Sequence, residues 1–108
     1  MIARDAHHPI MHLDRRTVSR KTPRDGKLEI SPRAAARLGE IGSELRAAWS
    51  GETGPATLVS MSCTCGGADE KHDHYFLESG VLRTLPVGQE VDLSLESSTV
   101  SIAMTPST

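Results

Sequence analysis

Aromatic side chains are almost missing from this chain: its 108 residues hold one Trp, one Tyr and one Phe. A core without aromatics must be aliphatic, and here Ala, Leu and Val supply it. At this length there is one domain at most, and its core is small enough that a bound metal or a partner subunit would add useful stability. Long apolar runs are also lacking. None approaches the ~18–20 consecutive residues that a membrane-spanning helix needs. Met1 to Ile10 has no apolar stretch of the kind that a secretory signal carries. No phosphate-cradling glycine loop, nucleotide fingerprint or Ser-His-Asp arrangement is present. Cysteine is limited to Cys63 and Cys65. Residues i and i+2 of a strand make a strained disulfide. A thiol pair without an export signal therefore points to a reducing compartment, the cytoplasm.

Charge is unevenly spread. Through Gly26 the chain has six Lys/Arg against three Asp, and from Lys27 onward six Lys/Arg against eleven Asp/Glu. A basic arm thus precedes an acidic body. The body argues against nucleic acid as a partner, because phosphate binding needs a concentrated basic surface. The arm, residues 1–25, shows no sustained period and three scattered histidines, His7, His8 and His12. It is expected to be disordered alone, to meet an acidic protein partner or simply to be solvated. Met11 is an alternative initiator.

Residues 26–108 then read as a single metal-binding domain of the α+β class, one amphipathic helix packed on a small, mostly antiparallel β-sheet. Gly26 to Ile30 reads as the first strand. Ser31-Pro32 opens a helix, with Ser at the N-cap and Pro at the first helical position, where its missing N–H costs nothing. Ala34, Leu38, Ile41, Leu45 and Ala48 continue at helical spacing, predicting a helix that ends near Trp49-Ser50-Gly51. Within it, Gly39 and Gly42 each weaken the helix by about 1 kcal/mol relative to Ala. Strands are predicted over Ala56–Cys65, His72–Glu78, Val81–Leu85, Glu90–Glu96 and Thr99–Met104.

The chemistry concentrates in Cys63-Thr64-Cys65-Gly66-Gly67-Ala68-Asp69-Glu70-Lys71-His72-Asp73-His74. The pattern is C-x-C, a polar turn, then H-x-H. Side chains alternate along a strand, so Cys63 and Cys65 share a face, as do His72 and His74. If residues 66–71 close the hairpin symmetrically, Cys65 lies opposite His72 and Cys63 opposite His74. Opposed Cβ atoms stand roughly 4.5–5.5 Å apart, so Cys63, Cys65, His72 and His74 would converge as metal ligands. Two thiolates and two imidazoles suit tetrahedral Zn²⁺ and equally a [2Fe–2S] cluster with mixed ligation. The same residues read otherwise as redox thiols or as small buried side chains.

The segment Leu28-Glu29-Ile30-Ser31-Pro32-Arg33-Ala34-Ala35-Ala36-Arg37-Leu38 resembles the opening strand and helix of A-type iron–sulfur carriers, the HesB-like family. Cys63-Thr64-Cys65-Gly66-Gly67 sits where that family's second strand delivers a cysteine within a glycine-containing turn. Tyr75-Phe76-Leu77-Glu78 and Ser101-Ile102-Ala103-Met104-Thr105-Pro106 resemble its later strands. The resemblance spans residues 27 to 106 and implies a cluster carrier in which Cys63 or Cys65 is the matching ligand. The family's terminal C-x-C has no counterpart here, so His72 and His74, or ligands of a partner, would take that place.

Three functions follow. The first is a metal- or iron–sulfur-binding carrier, electron-transfer or assembly module. The second is an interaction subunit in which zinc staples the hairpin and the basic arm docks into a larger complex. The third, an enzyme, has least support. Four protein ligands leave no open coordination position for water; if only three of the four bind, Asp73 and Glu70 become the nearby acid–base candidates.

Overall fold

The computed structural model describes residues 10–63 and 72–105. Their dominant feature is one seven-stranded sheet in the order β1-β6-β7-β3-β4-β5-β2. Its strands are β1 (Met11–Thr17), β2 (Lys27–Ile30), β3 (Glu44–Trp49), β4 (Glu52–Cys63), β5 (His72–Glu78), β6 (Glu90–Glu96) and β7 (Thr99–Met104). All neighbours are antiparallel except β3 and β7, which run parallel. The sheet curls until its two edge strands approach. Asp14 Oδ2 on β1 accepts a hydrogen bond from the Ser31 backbone N–H, just past β2, at 2.8 Å. The result is a nearly closed, barrel-like sheet, and 55% of the described residues are in strands and 20% in helices. The expected architecture, one long helix on a small sheet, is therefore wrong: this is a mostly β fold.

The error has a local cause. Helix α2 (Pro32–Leu38) opens as the sequence predicts, with Ser31 Oγ accepting from Ala34 N at 3.1 Å. It stops after Leu38 because Gly39 takes φ 113°, a conformation closed to ordinary L-residues. Leu45 and Ala48 fit a helical stripe, but Leu45 and Ala47 fit a strand equally well. The strand wins because β3 finds hydrogen-bonding partners on both sides, β4 and β7. Leu45 and Ala47 then face the core. Ladder bonds on two edges outweigh the weak helix preference of a segment already broken by two glycines.

The basic arm is likewise corrected from Met11 onward. Met11–Thr17 pairs with β6 along its length, and Lys21–Asp25 forms a short helix, α1. Leu13 and Val18 are buried. A register shift between His12 and Asp14 breaks the alternation of β1, and one buried apolar residue in seven leaves no period to read.

Val81–Leu85, expected as a strand, is instead a 3-10 helix over Gly80–Thr84. Leu82 and Leu85 both point inward, three residues apart, which is one 3-10 turn. Ser79 is itself buried. Its hydroxyl donates to Pro55 O at 2.7 Å and accepts from Val81 N at 3.3 Å.

The core is aliphatic, as the composition requires. Leu28, Leu58, Leu77, Leu82 and Leu93 are its largest fully buried side chains. Trp49 and Tyr75 only lean against it. Ser31→Ala removes the cap of α2 and is expected to cost about 1 kcal/mol. A denaturant midpoint lowered accordingly, with unchanged slope, checks this.

Candidate metal-binding hairpin

Beyond its pairing with β3, β4 continues as a two-stranded hairpin with β5. The register sets Val59 opposite Phe76, Met61 opposite His74, Ser62 opposite Asp73 and Cys63 opposite His72. This differs by two residues from the expected pairing of Cys65 with His72 and Cys63 with His74. A slip of two preserves the faces, whereas a slip of one would reverse them. Positions 61, 63, 72 and 74 therefore still fall on one side of the sheet. Cys65 and Glu70 lie outside the described residues.

That side faces away from the core, because Leu58, Tyr75 and Leu77 occupy the alternate positions. Its third strand is β2, with Glu29 opposite Phe76. From there Glu29 reaches diagonally to His74: Nδ1 of the imidazole lies 2.7 Å from Glu29 Oε2. An ionised carboxylate can only accept, so in this contact the Nδ1–H donates to Glu29. Both side chains are about one-third to one-half exposed, at 34% for His74 and 44% for Glu29. The bond thus orients the ring more than it stabilises the fold.

Asp73 sits on the opposite side, where it accepts from Ser62 Oγ at 3.1 Å. It stands on the face of the sheet opposite to His74. Beside the hairpin, α1 and β2 contribute Lys21, Arg24, Asp25 and Lys27 to a cleft of about 230 Å³ floored by Met61 and Phe76. Arg24 is committed to Asp25, with both guanidinium–carboxylate contacts at 3.1 Å. That hydrogen bond holds Asp25 below the usual carboxylate range.

A second polar cluster lies across the sheet, between β1 and β6. Asp92 Oδ1 accepts from Arg15 Nε at 2.8 Å and lies 3.2 Å from His12 Nε2. The Arg15 hydrogen bond, aided by His12, lowers the Asp92 pKa below the usual range. His12 is therefore an edge-strand residue paired with a carboxylate. His7 and His8 lie outside the described residues.

Among the described residues, no group of three or more His, Cys, Asp or Glu gathers as a metal ion would require. Glu29 is the site residue that sequence reasoning missed. Its alternation in Lys27-Leu28-Glu29-Ile30 marks it as outward-facing, but only the sheet order reveals that β2 borders β5. No helix among the described residues is long and apolar enough to cross a membrane. Comparison with family models, with curated proteins and with solved structures finds no match to this chain.

Proposed function

We propose that this chain is a small metal- or iron–sulfur-binding protein, a carrier or assembly module, whose ligands are Cys63, Cys65, His72 and His74. One observation carries the reading. The hairpin register pairs Cys63 with His72 and puts His74 two positions further along the same strand, its Nδ1 held by Glu29. Metal-ligating histidines nearly always donate their second ring N–H to a carboxylate or carbonyl, which fixes the tautomer and raises the basicity of the other nitrogen.

The donor set fits borderline and soft ions. Thiolates favour Zn²⁺ or iron in a cluster, and imidazole nitrogen accepts either. Bound there, a cluster would supply a transferable or redox-active group, and Zn²⁺ would supply a crosslink between two strands. The protein's contribution is to set Cys63 opposite His72 on one ladder and to orient His74 through Glu29. A reducing, cytoplasmic setting keeps such thiols available. The resemblance to A-type carriers supports delivery of a cluster over a purely structural role.

Glu29→Ala is expected to weaken metal retention by roughly 10–100-fold while leaving the fold intact. Competition with a chelator of known affinity, run beside circular dichroism, measures both. Retention equal to wild type would show that the Glu29–His74 bond serves only the surface.

A further inference from the structure

We propose that the free edge of β4, residues 59–62, pairs antiparallel with the same edge of a second copy of this chain, giving a two-fold dimer through a continuous sheet. β4 is 12 residues long, yet its ladder with β3 stops at Glu44 opposite Thr57. Its ladder with β5 runs on to Cys63. On the β3 side one more backbone bond follows, from Gly42 N to Leu58 O at 2.8 Å. Past it, no strand among the described residues pairs with that edge. Ser60, Met61 and Ser62 are exposed there, Met61 at 51%.

Exposed strand edges offer rows of unpaired N–H and C=O groups, and proteins usually guard them with charge, proline, bulges or brevity. The sheet's two outermost strands are guarded in these ways. β1 carries Asp14, Arg15 and Arg16 and a register shift, and β2 carries Lys27 and Glu29. Val59-Ser60-Met61-Ser62 has no charge, proline or glycine. Among the described residues this stretch of edge carries none of those charges.

Its pattern selects a copy of itself as the occupant. A two-fold axis perpendicular to a sheet keeps each face on its own side, so only positions of equal parity can oppose one another. Ser60 would meet the partner's Ser60 or the partner's Ser62, and Met61 would meet the partner's Met61 or the partner's Val59. Either register puts hydroxyl against hydroxyl and apolar against apolar, which are favourable cross-strand pairs. The segment itself carries no charge that would repel its copy. An isologous contact of this kind closes at two and does not propagate. The inference rests on backbone pairing and holds whatever fills the hairpin face.

Sedimentation velocity on the full chain from about 1 to 200 µM tests it, a range that brackets the micromolar affinity of a small contact. The expected result is a concentration-dependent monomer–dimer equilibrium. Ser60→Lys and Ser60→Glu, at an exposed position, should each weaken dimerisation at least tenfold with unchanged circular dichroism. Mixing the two variants should restore dimer through opposite charges, and Ser60→Thr should dimerise like wild type. A monomer at every concentration, or a dimer indifferent to both charged variants, would overturn the proposal.

Discussion

Leu77→Ala is expected to cost about 2–5 kcal/mol, a large share of the roughly 5–15 kcal/mol that holds a domain together. Leu77 is fully buried on β5, opposite Leu58 of β4 on one side and Leu28 of β2 on the other. All three are among the largest fully buried side chains of the protein. Truncation leaves a cavity at the centre of a three-strand contact, and ladders on both sides of β5 restrict how far the backbone can collapse into it. The penalty is sharpened by composition, because no buried aromatic cluster is available to compensate. Ile41→Ala provides the contrast: Ile41 is 54% exposed, and its loss should stay within about 0.5 kcal/mol. Urea unfolding of both variants, compared at equal slope, reads the difference. Equal midpoints would mean that β5 is not packed as described.

The second large effect concerns the hairpin that β5 anchors. Cys63→Ser and His74→Ala should each remove most of the bound metal, and the pair together should remove essentially all of it. Ligands act as a set, so losing one from a site of four forfeits more than a quarter of the binding. Acidification should act in the same direction. Thiolate and neutral imidazole are the ligating forms, and protons compete for both. Metal retained in His72→Ala/His74→Ala at every pH would make the histidines bystanders. It would leave Cys63 and Cys65 to be completed by a partner.

What could be read beforehand, and what could not, divides along the line between local and non-local forces. The bounds of β5, β6 and β7 follow from alternation, as in Val91, Leu93 and Leu95, with turn residues marking each end. The Ser31-Pro32 start of α2 follows from capping chemistry. The end of α2 did not follow, since Leu45 and Ala48 satisfy a helical period as well as Leu45 and Ala47 satisfy that of a strand. The ladders to β4 and to β7, the latter on a segment some 50 residues later, decide between them. β1 was hidden for a related reason: its charged residues and register shift are what an edge strand needs, and they erase its periodicity.

At the candidate site the register of β4 against β5 was not legible. Period two keeps positions 63, 72 and 74 on one side only when the slip is even. The position of the crossover depends on residues 64–71, whose sequence admits more than one turn. Glu29 belongs to a strand that is adjacent only through the sheet order, so no spacing in the sequence could have joined it to His74.

The central claim is that the hairpin binds a metal or a cluster, and the most direct measurement is the metal content of the full chain. Protein purified anaerobically without chelator should carry close to one metal ion or one cluster per chain by elemental analysis. Visible absorption would identify iron, and a colourless protein with zinc would identify a structural ion. Fully folded wild-type protein that contains neither, and takes up neither when Zn²⁺ or Fe²⁺ with sulfide is supplied, would contradict the claim.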